Sequence, residues 1–144
     1  MTTPSRALIL IDVQQEYFAG PLTIQFPAPD ASLAKITAAI DAATASGIPI
    51  VVVQHTGGDE APIFNPTTSG FATHPDVVSR QDATWHAIVK EYSSVFPGTG
   101  LLDWLREGQI DTITLVGYMT NNCILASAAE AETHGIGVEV LSDA

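Results

Sequence analysis

The chain has 144 residues, one domain's worth, and 5 basic against 16 acidic side chains give it a formal charge of −11. That balance excludes the basic patch needed for a phosphate backbone or an anionic membrane, and the lone cysteine, Cys123, excludes an internal disulfide. No apolar run approaches the ~20 residues of a membrane-spanning helix, and the opening MTTPSRALILID has no basic stretch leading into an uninterrupted apolar one. A soluble cytoplasmic protein that binds neither nucleic acid nor membrane is expected.

Ala7–Ile11, ALILI, is a short apolar run ending in Asp12, and Ile48–Val53, IPIVVV, repeats the type with β-branched residues. Runs of this kind predict strands buried on both faces, hence parallel. Between them Asp30 can cap a helix with Leu33, Ile36 and Ile40 on one face, and Gly47 can close it. The result is a right-handed βαβ unit. Residues 55–85 carry prolines, glycines and little periodicity, which predicts a long irregular excursion of the kind that usually serves function. A third short strand, Ala87–Val89, stops at Lys90. The helix LLDWLRE follows Gly100, and Thr112–Val116 is the fourth strand. A helix from near Asn121 to Gly135 leads to the fifth strand, Val138–Leu141. Alternating strands and helices predict an α/β fold: a three-layer α/β/α sandwich around a doubly wound, mostly parallel sheet. A single domain over residues 1–144 is expected. The chain stops at LSDA with no helix to cover its last strand, so a missing C-terminal segment is expected too.

In such a sheet function collects beyond the carboxyl ends of the strands. Asp12, Lys90 and Cys123 all fall at that edge. A charge abutting a buried apolar run is costly unless paired, which would account for Asp12 and Lys90 together. Cys123 sits in VGYMTNNCILASAA, near a helix start whose cap could be Thr120 or Asn121. Unpaired N–H groups and the positive end of the helix dipole there, with a nearby lysine, are expected to lower the thiol pKa. A small buried core cysteine is the alternative. If Cys123 is a nucleophile, Asp12 can manage its proton, Lys90 can hold both groups electrostatically, and backbone N–H groups from Met119 to Cys123 can stabilise an oxyanion. Around these strand ends lie Tyr17, Phe18, His55, Trp85, Tyr92, Phe96 and Tyr118, candidates for lining a substrate pocket, although aromatics there are also ordinary packing. Gln14 could orient Asp12 or a neighbouring loop, and His55 could touch substrate or cap the loop that follows it.

Three stretches, ALILIDVQQEYF, IVKEYSSVFPGTGL and ITLVGYMTNNCILASAAEAETHGIGVEVLSDA, occur in the order found in isochorismatase-like cysteine hydrolases, the superfamily of nicotinamidases and N-carbamoylsarcosine amidases, which the chain resembles over essentially its whole length. The resemblance implies a catalytic triad that falls on Asp12, Lys90 and Cys123. It also implies a non-proline cis peptide at Tyr118–Met119 that turns the Met119 N–H toward the oxyanion, and a dimer or tetramer of identical chains. Phe96 and Tyr17 hold positions that family members often use around substrate. Nicotinamidases of the family hold a metal in a pattern resembling DxHxxxH. Here the loop reads QHTGGDEAP, with Ala61 two places after Asp59, and none of His55, His74, His86 and His134 has ligand spacing. No metal and no cofactor are expected. Isochorismatases proper cleave a vinyl ether and need no cysteine at this position, so Cys123 favours a metal-independent amidohydrolase of small-molecule amide or carbamoyl C–N bonds working through a thioester. A vinyl-ether hydrolase, or a catalytically silent module that binds a small metabolite, are the other readings.

Overall fold

The computed structural model describes residues 2–144. Its strands are β1 (Arg6–Ile11), β2 (Ile50–His55), β3 (His86–Lys90), β4 (Thr112–Gly117) and β5 (Gly137–Val140). They form one sheet in the order β3-β2-β1-β4-β5 with every neighbouring pair parallel. Chain order therefore reverses at β1, and the crevice between the carboxyl ends of β1 and β4 is where this topology places a ligand.

The helices are α1 (Pro29–Ala45), α2 (Pro75–Val78), α3 (Leu101–Glu107) and α4 (Leu125–Thr133). Alternate strand residues divide between two cores. Ile9, Ile11, Val51, Val53 and Ile88 pack with Leu101 and Leu105 of α3 and with Ala131 of α4. Leu8, Leu10, Ile50 and Val52 pack with Leu33, Ile36 and Ile40 of α1. Helices thus cover both sheet faces. No helix among the described residues is long and apolar enough to cross a membrane.

Local chemistry moves several boundaries. α1 starts at Pro29, whose fixed φ suits the first helical position, with Ala28 rather than Asp30 at the cap; Asp30 sits in the first turn, near the positive dipole end. β2 starts at Ile50, after Pro49, and runs on to His55. The helix expected from Asn121 begins instead as a π-helical turn, Thr120–Ile124, and becomes α-helical only at Leu125. The excursion between β2 and β3 contains α2 and is tied to the segment just after β1 by an isolated bridge between Gln14 and Thr73.

Candidate active site

Three elements deliver the central side chains. Asp12 follows β1 directly, in the left-handed region at φ 54°, and its N–H donates to the Val53 carbonyl at 3.2 Å. Lys90 ends β3 in register with His55 of β2. Cys123 lies in the π-helical turn after β4. That turn can sit against β1 because Gly117 has no side chain: at φ +112°, a Cβ there would lie 2.0 Å from the Ile11 carbonyl oxygen. The Tyr118 N–H then donates to the same oxygen at 2.9 Å, and the Tyr118–Met119 peptide is cis.

Asp12 and Lys90 are both 0% exposed and Cys123 is 4% exposed. Lys90 Nζ lies 3.0 Å from Asp12 Oδ2 and donates to Cys123 Sγ at 3.2 Å. It also meets His55 Nδ1 at 3.0 Å and the Tyr92 carbonyl at 3.1 Å. An ammonium has three protons. Four acceptors share them, so the lysine can follow negative charge as it moves between carboxylate and sulfur. The Asp12–Lys90 contact is an ion pair by distance, but neither Asp12 oxygen closes a well-aligned hydrogen bond among the described residues.

Burial raises the Asp12 pKa to about 6, against the stabilising charge of Lys90. Burial, followed by the neighbouring Asp12 charge, raises the thiol to about 11, with Lys90 pulling the other way. Desolvation therefore outweighs the helix start and the lysine, which corrects the expectation of a lowered thiol pKa. The resting sulfur is protonated, and above pH 6 a carboxylate stands beside it as a stronger base than an ordinary aspartate. The Met119 N–H makes no hydrogen bond among the described residues.

The aromatic candidates separate. His55 touches Lys90, Tyr92 offers it a carbonyl while its own side chain is exposed, and Phe96 is buried in the α3/α4 core against the His134 ring. Tyr17, Phe18 and Tyr118 form an aromatic cluster on the α1 side with centroids 5.4 and 5.7 Å apart. Tyr17 is buried against Phe64 and Tyr118, and burial first, then the charges of Asp12 and Cys123, raise its pKa. Trp85 precedes β3 and lines a cavity with Gly47, Pro49 and Ile50 at the amino end of the sheet. Five residues of extended chain put it ~16 Å from Lys90, so as a substrate contact it is corrected to packing. Thr120 is exposed and supplies no side-chain cap.

Gln14 is fully buried; its backbone N–H donates to the Asp12 carbonyl at 2.8 Å, but its side chain makes no hydrogen bond to the Asp12 carboxylate. Its amide donates to the His55 carbonyl at 3.1 Å and its oxygen accepts the His55 N–H at 2.8 Å, clamping the end of β2; a further bond goes to the Phe71 carbonyl. Two residues carry support that the sequence reading missed. Glu16 is buried and accepts the Phe64 N–H, and Ser32 of α1 meets the Tyr118 hydroxyl at 2.6 Å. Glu16 falls at helical-turn spacing from Asp12, and only the unusual burial of an acidic side chain marks it.

Two cavities flank the triad's edge of the sheet. One of about 580 Å³ lies beside Tyr118–Asn121 and Leu22–Pro27 but takes in no triad side chain. The other, about 320 Å³, is lined by His55, Thr56, Gly57, Gly58 and Glu91, adjoining the lysine and its ligands. Among the described residues there is no group of three or more His, Cys, Asp or Glu side chains that could hold a metal ion.

A family model for the isochorismatase domain matches residues 6–144. The structure superposes with a TM-score of 0.94 on an isochorismatase-type protein of Burkholderia xenovorans, at 45% identity over 99% of this chain and 67% of that one. N-carbamoylsarcosine amidase from Thermoplasma acidophilum superposes with a TM-score of 0.85, at 26% identity over 97% of this chain and 83% of its own. In sequence, the secreted isochorismatase effector Isc1 of Verticillium dahliae is 29% identical over 99% of this chain and 73% of its own. The parallel five-stranded sheet, the residues at its carboxyl edge and these likenesses agree: the chain belongs to the isochorismatase family of hydrolases.

Proposed function

We propose that the protein is a cysteine-dependent amidohydrolase that cleaves an amide or carbamoyl C–N bond of a small molecule through a thioester. The observation that carries this reading is the convergence of the Asp12 carboxylate and the Cys123 sulfur on one buried lysine nitrogen, at 3.0 and 3.2 Å. Asp12 takes the thiol proton as sulfur attacks the carbonyl carbon, and Lys90 stabilises the sulfur while negative charge passes through it. Oxygen charge in the tetrahedral intermediate falls to backbone N–H groups, those of Met119 and Cys123. Asp12 returns the proton to the departing nitrogen. Water then attacks the thioester with Asp12 again as base, which regenerates the thiol and releases an acid. The raised pKa of Asp12 suits both halves, because a group titrating near 6 can accept and return a proton near neutrality.

The likeness to N-carbamoylsarcosine amidase supports a C–N substrate. Ammonia release from a panel of small primary amides and carbamoyl compounds tests the reading, with wild type compared against Cys123→Ala and Asp12→Asn. Turnover that both variants lose is the expected result. Ammonia release that survives in Cys123→Ala overturns it, because C–N cleavage would then proceed without the thiol.

A further inference from the structure

We propose that His55 is a two-ended residue, its Nδ1 positioning Lys90 and its Nε2–H presented to an uncharged carbonyl oxygen of the substrate in the adjoining cleft. The inference rests on the amidohydrolase reading above for the identity of the reaction but not for its own test.

Nδ1 lies 3.0 Å from Lys90 Nζ. A lysine ammonium can only donate, so Nδ1 must be the bare nitrogen and the imidazole proton must reside on Nε2. Burial and the lysine charge keep the ring neutral, lowering its pKa to about 4 against the opposing pull of the Tyr92 backbone carbonyl. The ring has little freedom to turn. Gln14 clamps the His55 backbone through two hydrogen bonds, and Phe64 meets the imidazole edge-on at 5.1 Å. Nε2 has no hydrogen-bond partner among the described residues, nor does it belong to their buried, unpartnered atoms. It is therefore an accessible donor fixed in direction by the triad itself.

The cleft that His55 lines has the room for a small ligand at about 320 Å³, and Gly57 and Gly58 line it without side chains. Its remaining charged wall is Glu91. A donor beside a carboxylate suits a group that has an accepting oxygen and bears no negative charge, such as a carboxamide or ureido group. A carboxylate would meet Glu91 as a like charge in a chain that already carries −11.

Binding to the catalytically dead Cys123→Ala protein reads this without any turnover. Succinamide and succinate, which differ only in carrying carboxamides against carboxylates, are titrated by ligand-observed NMR. Succinamide is expected to bind about tenfold tighter, and Glu91→Gln to narrow the difference. Within the same background, His55→Asn keeps an oxygen near the Nδ1 position but has no donor where Nε2 was, and should weaken succinamide about 3–10-fold. His55→Gln, whose amide reaches the Nε2 position, should retain most of the binding. With Cys123 restored, the two swap: His55→Gln, lacking the Lys90 acceptor, should lose kcat, whereas His55→Asn should raise KM with kcat nearly kept. Tighter binding of succinate, no measurable binding of either compound, or His55→Asn and His55→Gln behaving alike would overturn the assignment. Loss of the thioester chemistry alone would not, since the binding arm is free of it.

Discussion

Replacing Lys90 with methionine keeps most of the buried aliphatic stem and removes only the ammonium 3.0 Å from Asp12. In the wild type Asp12 is unfolded near its ordinary value and folded at about 6, so stability falls as pH rises between those two values and is flat above. Lys90 is the charge that holds the folded value down. Without it the folded pKa climbs above 6, and the folded state keeps an extra proton over a wider window. Wild type and Lys90→Met should therefore lose stability in parallel below pH 6 and diverge above it, by about 1.4 kcal/mol per pH unit until the variant's own pKa is reached. Between pH 6 and pH 8 the gap should widen by as much as about 2.7 kcal/mol, approaching the ~3–5 kcal/mol typical of breaking a buried ion pair. The assay is urea unfolding of both proteins at pH 5, 6, 7 and 8, with the midpoint converted through the shared slope. A penalty that is the same at all four values would refute the electrostatic coupling of the two side chains.

Other expectations follow from single contacts. The rate kcat/KM should rise with pH and level off near 6, falling about tenfold per unit below as Asp12 takes up its proton; a profile flat from pH 4.5 to 7 would remove Asp12 as the base. Gly117→Ala forces a Cβ onto the Ile11 carbonyl at a positive φ, and should lower the Tm by about 5–15 °C in calorimetry. A Tm within a degree of wild type would mean that β4 does not approach β1 so closely. Ser32→Ala and Tyr118→Phe each remove one side of a buried 2.6 Å hydrogen bond and should cost about 1–2 kcal/mol. Chemical unfolding of the double variant should show little more than one of those losses, whereas strict additivity would show that the two hydroxyls act separately.

Much of the fold was legible because buried parallel strands announce themselves. ALILI, IVVV and TITLV are near-continuous apolar runs, and each became a strand of the sheet. The polar residue closing such a run was the clearest sign of the site, since Asp12 and Lys90 could be tolerated there only as partners. What sequence periodicity could not show was anything decided by close approach between distant segments. The pKa of Cys123 was misjudged because local chain chemistry points to the helix start, whereas desolvation depends on how completely β1, β3 and the turn after β4 close around the sulfur. Trp85 was misplaced for a simpler reason: it is near Lys90 in sequence but lies just before the opposite end of β3. The π-helical turn at Thr120–Ile124 and the clamp of Gln14 on His55 depend on backbone groups more than forty residues apart or on turn geometry that side-chain pattern does not encode.

The most direct test of the thioester is the intact mass of the protein during turnover of a small primary amide, with hydroxylamine added in a parallel sample to intercept the acyl group. The account predicts an acyl mass increment on wild type that maps to Cys123, disappears on hydroxylamine treatment and is absent from Cys123→Ala. Sustained ammonia release with no increment on wild type, and with Cys123→Ala equally active, would contradict it.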